Sequence, residues 1–345
     1  MPDQKRVGEV VVKVLIAGGA GFIGSTVASA CLDEGIVPVI LDNLCTGRVE
    51  FTRGREFYRG DIADARLLDR IFAEHPDIEA VVHMAALIVV PESVAQPLRY
   101  YRENVAKSID FIEHVLRNGC QRYLFSSSAS IYRPGDDFSV DESSPVEPLS
   151  PYARTKAMIE DILADTAAAT DLRGLSLRYF NPIGADPALR TGLQVRRPSH
   201  ALGKLISAYE ADEEFLITGV DWPTRDGSGI RDYIHVWDLA RAHVHALRRF
   251  DQILPPAGDR ATEVVNLGTG AGTTVKELVA AFRQVVERPL RVRETGPRPG
   301  DQVGSFTRTD KAHRLLDWKA ELSIAEGIRD SMRWAAKRDD LLGAD

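Results

Sequence analysis

Three cysteines in 345 residues, Cys31, Cys45 and Cys120, are too few and too scattered for a disulfide framework. Their odd number fits a reducing cytoplasm. Long hydrophobic runs are also missing. The longest, Val81 to Val90, is interrupted by His83 and falls far short of the roughly 20 apolar residues a membrane-spanning helix needs. No basic stretch followed by an apolar segment opens the chain, so no secretory leader is expected. Basic charge is not in excess: 43 Lys and Arg stand against 50 Asp and Glu, a net charge of −7 that argues against nucleic acid as the main partner. No Cys-x-x-Cys occurs, and His243 and His245, two apart on an expected helix, point in different directions, so no metal site is expected. What is there is 44% hydrophobic and 27% charged, an ordinary globular mixture with length for two domains or one large α/β domain and a lobe.

The order of elements reads as α/β. Val10 to Ala17 has the β-branched texture of a buried strand, a glycine cluster follows, and Phe22 to Glu34 has helical spacing. Strands are expected at Val37 to Leu41, Ala80 to His83, Tyr123 to Ser126 and Leu175 to Tyr179. Helices are expected at Arg66 to Glu74, Tyr101 to Arg117 and Tyr152 to Thr166. Such alternation builds right-handed βαβ units and a doubly wound parallel sheet of Rossmann type. From Asn181 the texture changes, with a Pro-, Gly- and Arg-rich stretch to Pro198 and helices at Trp237 to Phe250 and Val275 to Val286. Residues 1–180 are therefore expected to form a dinucleotide-binding domain and 181–345 mainly a smaller substrate lobe. Val264 to Leu267 is a candidate strand returning to the first sheet.

Gly19-Ala20-Gly21-Phe22-Ile23-Gly24 lies between an expected strand and an expected helix. In that setting the glycines allow a tight turn, close backbone approach to a pyrophosphate, and close packing of helix on strand. The helix amino end then offers unpaired N–H groups to the phosphates. Gly18 adds a Gly-x-x-Gly-x-x-Gly spacing, and Asp42 ends the second strand 18 residues after Gly24. A carboxylate there accepts from a ribose 2′-hydroxyl and repels a 2′-phosphate, which favours NAD over NADP. The competing reading is a glycine-rich turn in an unrelated α/β fold.

Tyr152 and Lys156 are four residues apart and share one helix face. A phenol with a pKa near 10 must be shifted by roughly 4 kcal/mol to act as a base near neutrality, and an adjacent ammonium works in that direction. Ser126-Ser127-Ser128 ends the preceding strand at the carboxyl edge of the sheet, where a hydroxyl can relay a proton between substrate and Tyr152. Alone, Tyr-x-x-x-Lys is more often a half-buried aromatic beside a solvated lysine. The glycine fingerprint and the serine-bearing strand end favour chemistry.

With these segments in hand, the chain resembles the extended short-chain dehydrogenase/reductase family and, within it, the UDP-galactose (UDP-glucose) 4-epimerases. The resemblance runs from about Val14 to Trp334 and is carried further by Asp42-Asn43-Leu44, Gly60-Asp61-Ile62, Arg178-Tyr179-Phe180-Asn181-Pro182, Asp226 to Val236 and Asn266-Leu267-Gly268. It implies that Tyr152, helped by Ser128, takes the proton from a sugar 4-hydroxyl while C4 gives hydride to a resident NAD, and that the 4-keto sugar turns over before the return. It implies NAD contacts from Gly18, Gly21, Phe22, Ile23, Gly24, Asp42, Asn43, Asp61, Ile62, Met84, Ala85, Ala86, Asn104, Ser126, Tyr152, Lys156, Tyr179 and Phe180. For the nucleotide sugar it implies Ser128, Asn181, His200, Thr218, Arg231, Arg298, Asp301 and Ser305. It also implies a homodimer built through the helices near Tyr101 to Arg117 and Tyr152 to Thr166. Sister dehydratases and uronate decarboxylases place acids just after the catalytic Ser/Thr, whereas this chain has Ala129, Ser130 and Ile131.

The pattern is broken at several positions. Ile88 replaces a lysine common near the cofactor, Thr218 replaces the aromatic that stacks on uracil (with Trp222 as a substitute), and His200 replaces an asparagine. Arg133 replaces a glycine near the sugar, where a cation either reads an acidic sugar or faces solvent. Ser305 replaces a bulky tyrosine, leaving room for an N-acetyl group. The alternatives are a related epimerase or 4-keto reductase acting on a UDP-uronic acid or a dTDP- or CDP-sugar, and, from another class, a redox-sensing dinucleotide-binding protein without chemistry.

Overall fold

The computed structural model of the chain describes residues 12–196, 198–256, 258–297 and 303–343. Its centre is a seven-stranded parallel sheet. From edge to edge the strands are Thr262–Leu267, Arg173–Tyr179, Arg122–Ser128, Ile78–His83, Lys13–Ala17, Val37–Asp42 and Glu56–Arg59. Alternation along single strands explains why they read as continuous apolar runs. Val14 and Ile16 face one side, where the helices Phe22–Asp33 and Val236–Arg248 pack, while Leu15 and Ala17 face the other, under Ala65–Glu74, Lys107–Arg117 and Pro151–Ala169. Both faces are dry, and the result is a three-layer Rossmann-type sandwich.

Differences from the expected elements have local causes. Glu56–Arg59 is an edge strand, short, polar and half exposed, so it carries no apolar signal. The expected helix Tyr101 to Arg117 is split into a π-helical segment, Tyr101–Ala106, and the α-helix Lys107–Arg117. The widened turn holds the buried amide of Asn104, a placement typical of such bulges. The stretch Asn181 to Pro198, expected as loop, begins with a short strand, Asn181–Ile183, which pairs in parallel with Tyr233–His235.

Segments from late in the chain enter the sheet's own core. Thr262–Leu267 pairs with Arg173–Tyr179, the helix Val236–Arg248 lies on Phe22–Asp33, and Ala312, Leu316 and Trp318 join the same apolar cluster. A second core, around Ile183, Leu205, Phe215, Ile217, Leu278, Phe282 and Ile328, belongs to the helices Ala201–Glu210, Val275–Val285 and Ile324–Leu342. Among the described residues, no helix is long and apolar enough to cross a membrane.

The strand order reverses between Lys13–Ala17 and Ile78–His83, so a crevice opens at their carboxyl ends. One contact fixes its floor. A Cβ on Gly24 would lie 2.3 Å from the carbonyl oxygen of Gly18, so the first helix touches the turn beneath it. Gly24→Val should cost about 3 kcal/mol through overpacking against backbone that cannot move aside. An unchanged urea midpoint in equilibrium unfolding would exclude this contact as a packing constraint.

Candidate active site

Gly18, at φ +82°, turns the chain across two strand ends. Its N–H donates to the Leu41 carbonyl at 2.8 Å, and a Cβ there would lie 2.6 Å from the Ala85 nitrogen. The turn is therefore pressed against Met84 and Ala85, the latter followed by Ala86 on the loop after Ile78–His83. Gly21 caps the helix Phe22–Asp33 without a side-chain hydrogen bond, and no acidic residue lies in its first turn. The N–H groups of Phe22 and Ile23 thus head an uncapped helix end, which suits an anion.

Asp42 is buried at the end of its strand. One carboxylate oxygen accepts from the Ala20 N–H at 3.0 Å and the other from the Leu44 N–H at 2.8 Å. Burial raises its pKa and the two amides oppose the rise. Each oxygen keeps a lone pair for a diol. Asn43 reaches Asp61 at 3.4 Å, and Lys107 donates to Asp61 at 2.7 Å and to Glu103 at 2.7 Å. Burial works to raise the Asp61 pKa, but the Lys107 hydrogen bond and its companions outweigh it and hold the carboxyl below its usual range. Ile62 is buried beside it.

Asn104 is committed to protein. Its carbonyl accepts from the Leu87 N–H at 2.8 Å, and its amide donates to the Leu87 carbonyl at 2.9 Å and to the Thr155 hydroxyl at 3.1 Å. Both amide hydrogens are spent, so this side chain fixes the loop carrying Met84 to Leu87 onto the helix Pro151–Ala169. Ile88, next on that loop, is 64% exposed.

The strand end Ser126–Ser128 and the helix Pro151–Ala169 bring the chemistry together. Lys156 is fully buried; its ammonium donates to the Ser126 carbonyl at 2.7 Å and sits 4.8 Å from the centre of the Phe125 ring. Burial pulls its pKa down to about 7, with Glu160 acting the other way. The Ser126 hydroxyl pairs with the Tyr179 phenol, and Phe180 packs with Ala129, Ile131, Tyr132 and Ala153. Ser128 caps the turn Ala129–Ile131 through the Ser130 N–H at 3.2 Å. The Tyr152 phenol is raised by burial, and its hydrogen bond with Ser128 opposes the rise. Lys156 does not offset this burial on its own. Desolvation dominates the phenol, and the lysine's charge is itself suppressed.

Of the residues expected at the sugar nucleotide, Asn181, Arg231 and Ser305 come to one region. Asn181 faces Tyr233 across a strand pair. The Arg231 Nη1 donates to the Ile230 carbonyl at 2.6 Å and the Val303 carbonyl at 2.7 Å, and Gly304 lies so close that a Cβ there would overlap the guanidinium. Ser305 follows, half-buried. His200 caps the helix Ala201–Glu210 by accepting the Gly203 N–H at Nδ1, 3.1 Å. Its ring lines a cavity of about 40 Å³ with Pro182, Gly184, Ser331 and Trp334, and its Nε2 has no partner among the described residues. That volume holds a water. Thr218 ends the strand Phe215–Thr218 and pairs with Thr295. The Trp222 indole lies over the adjacent Gly219. Arg133 points to solvent and pairs with Glu147 at 2.8 Å, the solvent-facing of its two expected placements. Arg298 and Asp301 lie outside the described residues.

Sequence reasoning missed Lys107, the Glu160–Arg178 ion pair and Asp232. The last is fully buried and accepts from the Thr269 N–H at 2.8 Å, the Thr269 hydroxyl at 2.6 Å and the Gly270 N–H at 3.1 Å. The Arg-Asp-Tyr run made Asp232 visible, but its partners lie about forty residues away in sequence and no local period points to them.

A glycine-turned helix end, an acid closing the second strand, and a Ser–Tyr–Lys set at the carboxyl edge of a parallel sheet define a dinucleotide-dependent enzyme of Rossmann type. Residues 14–268 match the model of the NAD dependent epimerase/dehydratase family, and the chain belongs to that family. It is 39% identical over 325 residues to a UDP-glucose 4-epimerase of Rhizobium leguminosarum bv. trifolii, covering 94% of this chain and 97% of that one. Among solved structures it is similar to the UDP-glucose 4-epimerase of Stenotrophomonas maltophila with bound NAD and formylated UDP-arabinopyranose (TM-score 0.89, 36% identity, 95% of this chain and 99% of that). It is also similar to the Brucella ovis enzyme in complex with NAD (TM-score 0.87, 35% identity, 94% and 98%).

The buried lysine has a stability signature. Its folded pKa of about 7 lies below the unfolded value of 10.5, so the unfolded chain binds the extra proton between those limits and stability rises with pH across that window. Lys156→Met should therefore raise the melting temperature of the ligand-free protein most below pH 7, with the gain shrinking toward pH 10. A gain that stays constant with pH would contradict a buried, titrating ammonium.

Proposed function

We propose that the chain interconverts UDP-glucose and UDP-galactose by 4-epimerisation with NAD as a resident cofactor. The reading is carried by one juxtaposition: the Tyr152 phenol beside the Ser128 hydroxyl, at the crevice edge of the sheet, with Lys156 one helical turn on. The residues fit NAD. The uncapped helix end after Gly21 takes a pyrophosphate, the free lone pairs of Asp42 take a ribose diol, and two of the three Lys156 donors have no protein partner among the contacts described. When bound, NAD supplies a reversible acceptor for the hydride on C4.

This chain's own residues move the proton. Tyr152 accepts it from the sugar 4-hydroxyl with Ser128 as relay, and returns it after the 4-keto sugar has turned over. Burial raises the phenol, and a positive charge beside it, such as an oxidised nicotinamide, lowers it toward the range of a base. Arg231 and Asn181 are suited to the diphosphate, with Arg298 and Asp301 assigned by the family pattern. The turn Ala129–Ile131 after Ser128 carries no carboxylate, which disfavours dehydration. Ser305, small where a bulky tyrosine is found in some relatives of the pattern, favours acceptance of N-acetylated UDP-hexoses as well. On this reading residues 1–180 chiefly hold NAD and 181–345 chiefly the sugar nucleotide. The three cysteines are free thiols, which suits the cytoplasm.

Incubation with a panel of UDP-, dTDP- and CDP-sugars, followed by chromatographic separation of C4 epimers, should show interconversion of UDP-glucose and UDP-galactose, and of UDP-GlcNAc and UDP-GalNAc, without net NADH change. Stoichiometric NADH consumption would make the protein a reductase instead. Tyr152→Phe should lower turnover by about 10²–10⁴-fold while NAD stays bound.

A homodimer is part of the same proposal. Ile109 and Met158 are exposed on the helices Lys107–Arg117 and Pro151–Ala169, and Ile88, Val94 and Leu98 are exposed on or beside Val90–Ala95 and Pro97–Tyr100, which pack on Pro151–Ala169. Exposed apolar groups concentrated there favour association. Light scattering should give twice the 38.0 kDa chain mass, and Leu98→Glu with Ile109→Glu should give the monomer. A wild-type monomer would end the dimer proposal.

A further inference from the structure

Three consecutive serines end the strand Arg122–Ser128, and each binds a different turn of the helix Pro151–Ala169. Ser128 meets Tyr152, the Ser126 carbonyl takes the Lys156 ammonium at 2.7 Å, and the Ser127 hydroxyl donates to Glu160. Tyr152, Lys156 and Glu160 are spaced four apart and so form one stripe on the helix. The first two have roles in the proposed chemistry and the third has none. Yet Glu160 is the most firmly held of them. The Arg178 Nε donates to its carboxylate at 2.9 Å, the Arg178 Nη2 closes the fork, and the side chains of the pair are 7% and 9% exposed. Arg178 is held in turn, its Nη1 donating to the Tyr132 hydroxyl at 2.7 Å, while that hydroxyl donates to Asn266 at 2.7 Å.

We propose that Glu160 is a positioning residue for the reaction: locked by Arg178 and Ser127, it sets the register of the helix on the serine strand and provides the negative charge that keeps the adjacent Lys156 an ammonium. Among the described residues Lys156 has no carboxylate in direct contact, so its charge depends on what lies one helical turn away. The groups facing it are few. His83, from Ile78–His83, is held neutral by burial, with a pKa of about 3, and pairs with Tyr123. Tyr179 closes on Ser126 from the neighbouring strand, and Tyr152 and Glu160 lie on Lys156's own helix. Glu160 is the group that acts to raise the lysine. Arg178 sharpens the arrangement, because it fixes the carboxylate in one place and prevents it from folding back onto the lysine as a closed ion pair. Two ammonium hydrogens are thereby left for a ligand. A direct Lys–Glu contact would have consumed them.

The catalytic consequence rests on the epimerase reading; the titration does not. Lysine side chains carrying ¹³C at Cε are followed by NMR from pH 5 to 11 in the NAD-free protein, with Lys156→Met identifying the resonance. Glu160→Gln should lower the Lys156 midpoint by about one pH unit or more, and Glu160→Asp should keep it within a few tenths of wild type. If Glu160→Gln leaves Arg178 uncompensated and fails to fold, Glu160→Gln/Arg178→Met removes the pair together and should still lower the midpoint. With UDP-galactose, Glu160→Gln should lose more kcat at pH 9 than at pH 7, and Glu160→Asp should recover it. A midpoint unmoved by removal of the carboxylate, or lowered equally by Glu160→Asp, overturns the inference. Absence of epimerisation in the wild type overturns the functional reading and leaves the titration standing.

Discussion

The structure depends on a cation buried where, among the described residues, no carboxylate meets it. Lys156 has lost its water and received in exchange one backbone carbonyl and the face of an aromatic ring. Neither is enough to restore its ordinary pKa, and the group titrates near neutrality as a result. Much of the surrounding architecture can be read as a response to that one placement. The strand end must present the Ser126 carbonyl inward, the helix must keep Tyr152 and Lys156 on the inner stripe, and the flanking loop must be fixed closely enough to exclude water. Asn104 does the last of these by joining the Leu87 backbone to Thr155.

A suppressed ammonium and a raised phenol share one cause. The charged forms of both Tyr152 and Lys156 are disfavoured by desolvation. Positive charge beside the phenol and hydroxyl acceptors at the lysine act against those two shifts, so the same burial that raises one group and lowers the other makes both responsive to what lies next to them.

How much of this was legible beforehand follows from the range of the interactions. The glycine turn, Asp42 and the Tyr-x-x-x-Lys stripe are encoded within a few residues and stood out in sequence. The apolar strands did too, because both faces of the sheet are covered and nearly every strand residue must be apolar. The split of the expected helix at Tyr101–Ala106 was not legible, since the bulge exists to aim Asn104 at a loop and at another helix, and no local propensity records those partners. The same holds for Glu160 with Arg178, and for Asp232, whose acceptors are filled by Thr269 and Gly270. The burial of Tyr152 and Lys156 was not legible either, because their adjacency is visible in sequence while the elements that take both out of water are not.

The sugar-nucleotide end follows a different logic from the catalytic end. There the side chains are set by backbone brought from late in the chain. Arg231 is held by the Val303 carbonyl and by the absence of a side chain at Gly304, and the segment that supplies both continues directly into Ser305. Arg133, the one cation that suggested an acidic sugar, is turned outward onto Glu147. On the proposed reading, substrate choice is set in the stretch 303–305, since Val303 and Gly304 hold the arginine and Ser305 follows directly. A side chain at Gly304 collides with the guanidinium and displaces it, whereas a larger residue at Ser305 leaves the Gly304 contact intact and changes only what stands beside it, so the two positions act on recognition by different routes.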